Sequence, residues 1–401
     1  MLVAGCRLAA CSRTLVQVTT RGSTVHHGAL MWSKLSGIVL VLTVSDAAAQ
    51  ATWVVDRTPI LEVTGTSSSG AVTFGYAAGG TRLSDGKLLV ADRAESNIRV
   101  LDATGKLVRT VGRAGDGPGE FQSMIWAGRC GPDSLLVWDL RRRQASMIGA
   151  SGAVARQFSV PTGDTAQSPF HFSCSSRGAM IYRGSPRPVR APNPQNPSIV
   201  GIVSAVYRIR PDGAVSERLG DIPAGEAVAM ASPSGGRGAV PRPLGRTASI
   251  AALDDAVVFS SADSAIVTIV RSNGRASHAL PIVLRAPTQA EFDEAVQATA
   301  SLVPSAMRQA MAAQIATIPK PERLPPVSAL FVDSEGLIWV QTTPPGGKAV
   351  DFLVMNPAGN IVARAQVPLG MTVFEIGKDY VLGSYTDAAD EMHVAVLRLR
   401  R

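Results

Sequence analysis

The feature that most constrains this chain is a spacing. Val90 to Phe121, VADRAESNIRVLDATGKLVRTVGRAGDGPGEF, reads as short strand-like runs joined by turns, and its grammar returns 47 residues later: Leu88 corresponds to Leu135, Asp92 to Asp139 and Gly105 to Gly152. Leu88 to Ala91 is an apolar run of the kind that suits a strand buried on both faces. Asn97 to Leu101 alternates, with Arg99 between Ile98 and Val100. Asp102 to Gly105 is a turn signal in which Gly105 is free to take positive φ. Lys106 to Val111 is a third strand. Gly112 to Gly119, with four glycines and one proline in eight positions, cannot continue one.

Weaker copies follow: AMIYRGS with, after an insertion, VYRIRPDGAVSERL (Gly213); AVVFSSADSAIVTIVRSNGRASHAL (Gly274); LIWVQTTPPGGKAVDFLVMNPAGNIVARA (Gly359); and KDYVLGSYTDAADEMHVAVLRLRR. Strand-turn-strand units at such a period form an array whose members bury their faces on one another. The last copy stops at Arg401 before an outer strand, and TPILEVT (Thr58 to Thr64) is a lone strand ahead of the first copy. The expected fold is therefore all-β, a six-bladed β-propeller of four-stranded antiparallel blades, with the N-terminal strand closing the last blade and so removing exposed edges. Expected blades run over 79–121, 124–160, 170–222, 249–284, 327–368, and 371–401 plus 58–64.

Val90 to Phe121 resembles an NHL repeat, with its VAD run, an N-x-R-x-x-D run (Asn97 to Asp102), G-K-L turn and Gly-rich corner ending in Phe. The region from about Pro59 to Arg401 resembles bacterial extracytoplasmic six-bladed propellers of the NHL-like kind. The second copy matches in spacing without the Gly-rich corner, and the later ones are degenerate.

Residues 31–51 read as a signal peptide: Lys34, an uncharged run from Leu35 to Val44, and A-x-A patterns at Ala47 to Ala49 and Ala49 to Ala51. The run is too short for an ordinary membrane span, so no transmembrane segment is expected in the mature chain. Met31 is then expected to be the true start and residues 1–30 a mis-assigned extension, leaving 52–401 as the propeller. Cleavage near residue 50 removes four basic residues and one acid and lowers the net charge from +8 to +5. A mildly basic exported surface suits anionic envelope polymers. Nucleic-acid binding is not expected, because no basic helix and no aromatic-basic interleaving is present. Export permits disulfides. Cys130 and Cys174 each sit just before the turn after an innermost strand, in adjacent copies, so a bridge is favoured over two buried free thiols.

Two insertions break the rhythm. Pro186 to Pro197 is a proline-rich loop within the third blade. Residues 288–317 are a helical insertion between blades 4 and 5, opened by the capping box of Thr288 and Glu291 and resumed at Pro304. It either reaches over the central channel or packs on the edge of blades 4 and 5.

No catalytic motif is present. There is no G-x-S-x-G and no zinc signature, and His26, His27, His171, His278 and His393 are scattered. A lone histidine in a propeller is expected to be a core or loop residue. Asp92 and Asp139 are expected to accept backbone N–H groups in turns. No metal ligands are assigned, although a divalent cation such as calcium held by channel acids stays open. What remains is a basic cluster, Arg93, Arg141, Arg142, Arg143 and Arg183, following the second strands of blades 1 to 3. Topology puts these turns on one rim, where arginines bind carboxylates through bidentate bonds. Trp126 either lines the channel or fills the core. The expected function is a monomeric, noncatalytic binding or scaffold module for a protein or anionic polymer; the alternative is a metal-dependent hydrolase, lactonase or lyase with its site in the channel.

Overall fold

A computed structural model describes residues 50–65, 72–160, 167–189, 198–232, 236–261, 264–342, 349–368 and 370–401. The expected extension and nearly all of the expected signal peptide lie outside these residues. Among the described residues, no helix is long and apolar enough to cross a membrane.

The chain opens with β1 (Ala51–Val63). Blade 1 is β2 (Ala77–Arg82), β3 (Leu88–Asp92), β4 (Asn97–Leu101) and β5 (Leu107–Val111). Blade 2 is β6 (Met124–Arg129), β7 (Leu135–Asp139), β8 (Gln144–Ile148) and β9 (Val154–Ser159). Blade 3 is β10 (Pro169–Cys174), β11 (Met180–Gly184), the short β12 (Arg187–Pro188), β13 (Ser198–Ile209), β14 (Val215–Ser232) and β15 (Gly236–Pro241). Blade 4 is β16 (Ser249–Ala252), β17 (Ala256–Ser260), β18 (Ile266–Arg271) and β19 (Gly274–Ala279). Helices α1 (Gln289–Ala300) and α2 (Ser305–Ala316) follow. Blade 5 is β20 (Ala329–Val332), β21 (Ile338–Gln341), β22 (Ala349–Met355) and β23 (Ile361–Pro368), and blade 6 is β24 (Thr372–Ile376), β25 (Tyr380–Thr386) and β26 (Met392–Arg400).

The second strand of a blade has neighbours on both sides, so it must be apolar on both faces. In β3, β7, β11 and β17 all five residues are buried. Each junction between successive blades then carries its own apolar core. Leu89 and Ile98 meet Leu135 and Val137 between blades 1 and 2, Trp138 meets Phe172 and Tyr182 between 2 and 3, and Ile181 and Val206 meet Ile250 between 3 and 4. Val258 meets Leu353 between 4 and 5, Phe352 meets Val381 between 5 and 6, and Leu382 meets Leu88 between 6 and 1. Six junctions for six blades make a closed ring. Burial of each large aliphatic side chain contributes roughly 1.5–3 kcal/mol, which no single thin sheet would secure alone.

The ring is shut by β1, which pairs antiparallel with β26 from Val54↔Arg400 to Val63↔Val394. The strand is longer than TPILEVT suggests. Its first residues, Ala51 to Val54, pair in parallel with Ala363 to Gln366 of β23, so blades 5 and 6 share one eight-stranded sheet. The turn glycines behave as their spacing predicts: Gly105, Gly152, Gly213 and Gly359 have φ of 85°, 75°, 89° and 90°. Gly79 has another role, since a Cβ there would lie 2.1 Å from the Ala127 carbonyl oxygen of the next inner strand.

The helical insertion takes neither expected position. Beyond the four residues of β13 that pair with β11, Val206 to Ile209, β13 and β14 run on into a ribbon, Ser198↔Ala229 to Ile202↔Gly225, to which β15 is added. Phe292, Val296, Ala300, Met311 and Ile315 pack against Val228 of that ribbon, with Val240 and Leu244 alongside. The apolar faces of both helices are thus consumed by blade 3. The capping box is present, with Glu291 N–H donating to Thr288 Oγ1 at 3.2 Å and Thr288 N–H to Glu291 Oε2 at 2.8 Å, and Pro304 caps α2 from just outside it. Most of the proline-rich loop lies outside the described residues.

Candidate functional site: the central channel and its two ends

In an antiparallel meander, the turns after the first and third strands share one rim, here called lower. The turns after the second strands and the connections between blades share the other, the upper rim. The six inner strands β2, β6, β10, β16, β20 and β24 surround a channel cavity of about 330 Å³. No residue of α1 or α2 lines it.

The lower end is closed by side chains. Glu375, buried at the end of β24, accepts Arg129 Nε at 3.0 Å, Thr81 Oγ1 at 2.5 Å and Arg82 N–H at 3.1 Å, and the Tyr380 hydroxyl as well. Arg129 also donates to the carbonyls of Pro132 and Arg82, while the Arg82 guanidinium lies 4.9 Å from the Tyr380 ring centroid. Burial first, and then Glu375, push the Tyr380 phenol well up from its ordinary value. Asp333, the other carboxylate lining the channel, accepts Arg401 Nη2 at 2.7 Å and Trp339 Nε1 at 2.9 Å. Arg401 also lies over Trp53 of the closing strand, with 4.7 Å to the ring centroid. On the same rim Cys130 and Cys174 form a disulfide between blades 2 and 3, with Cα atoms 5.0 Å apart.

The upper end is built differently. Asp92 and Asp139 end their strands by gathering backbone N–H groups. Asp92 accepts Gly75 and Tyr76 at 3.1 Å and Ala94 at 3.2 Å; Asp139 accepts Gln122 at 2.6 Å and Arg142 at 3.0 Å. Each thereby ties the connection leading into its blade to the blade's own turn.

The rim arginines do not form one cluster. Arg93 is exposed and lies 5.9 Å from the Tyr76 ring centroid. Arg141 and Arg143 are exposed, and Arg143 has φ of 53°. Arg142 turns inward, its Nη1 donating to Gly117 O at 2.7 Å and to Glu120 O, and so pins the Gly-rich corner. Arg183, in β11, is only 8% exposed. Its guanidinium lies 5.4 Å from the Phe170 centroid, and Nε has no hydrogen-bond partner among the described residues. Among the described residues it pairs with no carboxylate. Burial alone lowers its pKa.

Trp126 lines the channel and packs against the core of blades 2 and 3, so both readings of it hold. It meets His171 edge-on, with centroids 6.3 Å apart. His171 pairs across the strands with Arg183, and burial, then the Arg183 charge, lower its pKa to about 4. His171 thus joins Trp126 to Arg183. Sequence reading passes over it as one more isolated histidine; the available signal is Arg183 itself, a charge inside the apolar run MIYRG.

Two other places have site-like geometry. A groove of about 880 Å³ lies away from the channel, along β1, β22 and β23, where β1 leaves blade 5 for blade 6. Asp387, Glu391 and His393 bring donor atoms within 4.8 Å of one another at the second turn of blade 6. These groups are engaged internally. His393 meets Glu62 at 3.2 Å and Asp387 at 3.3 Å, Asp387 accepts Ala389 and Glu391 N–H at 2.9 Å, and Glu391 accepts Gly65 N–H. The cluster fastens the closing strand to blade 6.

Six inter-blade cores around one channel decide the architecture. The chain is a six-bladed β-propeller. A family described as 6-bladed beta-propeller matches it over residues 79–125, which is blade 1 and the start of β6. No curated protein matches significantly. Solved structures similar to this propeller include a protein described as exported from Bacteroides fragilis, 12% identical, TM-score 0.47, covering 89% of this chain and 97% of its own. A DUF4221 family member from Bacteroides vulgatus is 11% identical, TM-score 0.47, covering 88% and 99%. Virginiamycin B lyase from Staphylococcus aureus is 11% identical, TM-score 0.39, covering 82% and 98%. At these identities the likenesses carry no argument about activity.

Proposed function

We propose that this propeller is an extracytoplasmic, noncatalytic binding or scaffold module that takes an anionic partner at the upper mouth of its channel, on the arc of blades 1 to 3. The observation that carries this reading is Arg183. A buried guanidinium without a counter-charge is costly, and an incoming anion supplies what the fold leaves out. Arg93 and Arg141 add exposed positive charge on the same arc, and Trp126, Phe170 and Tyr76 add flat apolar surface. Extracytoplasmic residence is supported by the disulfide and by the signal-like stretch 31–51. The rival reading, a channel metal serving a hydrolase or lyase, needs free carboxylates there. The two that line the channel, Asp333 and Glu375, are each held by an arginine.

The test is binding of a polyanion, poly-L-glutamate, at increasing ionic strength. Affinity is expected to fall with salt, as exposed charges are screened over about 10 Å at 0.1 M, and to weaken several-fold in an Arg93→Ala, Arg141→Ala double variant. A protein that ignores poly-L-glutamate at low salt overturns the reading.

A further inference from the structure

We infer that the upper end of the junction between blades 3 and 4 is a subsite for one carboxylate group attached to a flat apolar body, formed by Arg183, Ser204, His171 and Phe170. The inference rests on the anion-binding reading above and names the ligand chemistry of its buried part.

The strand register carries it. Residues directly opposite in an antiparallel pair share a face, and so do residues two apart along a strand. Arg183 lies opposite His171 on one side and Val206 on the other, and Ser204 lies opposite Ile222. Ile181, Val206 and Ile222 pack against Ala248 and Ile250 of blade 4. His171, Arg183 and Ser204 therefore stand on one face, the blade-4 face, of three successive strands, His171 and Arg183 toward the upper ends of β10 and β11 and Ser204 in the middle of β13, just above its pairing with β11. Arg183 and Ser204 are diagonal neighbours, about 7–8 Å apart at Cα.

Two buried groups there have no hydrogen-bond partner among the described residues: Arg183 Nε, in a residue 8% exposed, and Ser204 Oγ, in a residue with no exposure. Native proteins leave few buried polar groups unpaired, and two on one face at one end of a junction call for a common acceptor. Phe170, 44% exposed, covers the flat of the guanidinium, which leaves the in-plane N–H edge for bidentate contact with a carboxylate. The Ser204 hydroxyl supplies a further donor. His171, with its pKa brought down to about 4 by burial and then by Arg183, is neutral at pH 7, so the subsite holds one positive charge. One carboxylate balances it; a phosphate dianion would leave a buried excess negative charge. The rings of Phe170 and Trp126, the latter against His171 at 6.3 Å, offer flat surface to whatever carries the carboxylate.

The test is calorimetric titration of the purified protein with benzoate, N-acetyl-glycyl-phenylalanine, the amide of that peptide, and inorganic phosphate. At least one of the two carboxylates binds saturably, while the amide and phosphate bind at least about tenfold more weakly; whichever carboxylate binds better identifies a free acid or a chain terminus as the source. Arg183→Met is expected to lose the carboxylate at least tenfold while melting no lower than the parent, because it removes an unbalanced buried charge. Ser204→Ala, a smaller perturbation, weakens binding by roughly fivefold to tenfold. The inference is overturned if neither carboxylate binds, if phosphate or the amide binds as well as the acid, if Ser204→Ala changes nothing, or if Arg183→Met melts well below the parent. Poly-L-glutamate binding by the parent separates the two levels: polymer bound without either small carboxylate sinks the subsite alone, and neither bound sinks both.

Discussion

The two ends of the channel use the same residue type to opposite effect. At the lower end Arg129 is met by Glu375, by the Pro132 and Arg82 carbonyls and by Tyr380, so its charge is balanced by the fold. At the upper end Arg183, buried more deeply still, has an aromatic face and a neutral imidazole beside it and no acid among the described residues. Burial therefore does not distinguish architecture from function. The completeness of the partner set does. A charge whose partners all come from the chain holds the ring together, and a charge whose partners are missing from the chain is free to be completed from outside.

The largest effect expected from this contrast is at Glu375. Glu375→Gln removes the counter-charge and leaves Arg129 buried, which costs roughly 3–5 kcal/mol of unfolding free energy. Urea unfolding at pH 7 measures it, with Arg183→Met as the comparison expected to show no loss. Equal losses in the two variants would erase the difference between the ends. Next comes the disulfide, which joins residues 44 apart in sequence on the lower rim. Its removal in a Cys130→Ser, Cys174→Ser double variant is expected to cost roughly 2–4 kcal/mol, while carboxylate or polyanion binding at the upper mouth stays within about twofold of the parent. Lost binding would mean that the lower rim sets the geometry of the upper one.

Much of the fold was legible because propeller physics repeats itself. The apolar run of Leu88 to Ala91, its counterpart at Leu135 to Trp138, the closing Asp of each and the glycines at the turns are local and periodic, and the structure uses them in that way. The helices were legible locally through Thr288 and Glu291 but not in their placement, which depends on a ribbon made of Ser198 to Ile202 and Gly225 to Ala229; Ile199, Val200 and Ile202 carry strand signal, but no local pattern says which later segment packs on that ribbon. The start of β1 was missed for a similar reason. Ala51 to Val54 pairs with β23, and no short-range pattern announces a parallel partner more than 300 residues away. At the site, a rim shared by Arg93, Arg141, Arg142 and Arg183 follows from topology. Which arginine is buried, which pins a corner and which stands over a ring depends on contacts with the connection leading into the blade or with the neighbouring strand, and those were not in the spacing. Ser204 and Glu375 gave no signal, since each takes its meaning from a neighbour on another strand or blade.

The smallest effect, and the one that probes the upper end most directly, is the response to acid. An unfolded histidine titrates near 6.5, whereas His171 in the propeller titrates near 4. Between those values the unfolded chain binds a proton that the folded chain refuses, so the contribution of His171 to stability is fully present above about pH 6.5 and is lost as pH falls toward 4. Solvent reaches part of the ring, which limits the loss to about 1–2 kcal/mol at pH 4. Unfolding free energies measured from pH 7 to pH 4 should therefore fall more steeply for the parent than for His171→Gln. The comparison sharpens with Arg183→Met. The positive charge is the second cause of the low pKa, after burial, so its removal should raise the His171 pKa toward its ordinary value and flatten the acid limb. An acid limb in Arg183→Met as steep as in the parent would place the guanidinium too far from His171 to act on it, and the upper end would then lack the single shared charge that sets it apart from the lower one.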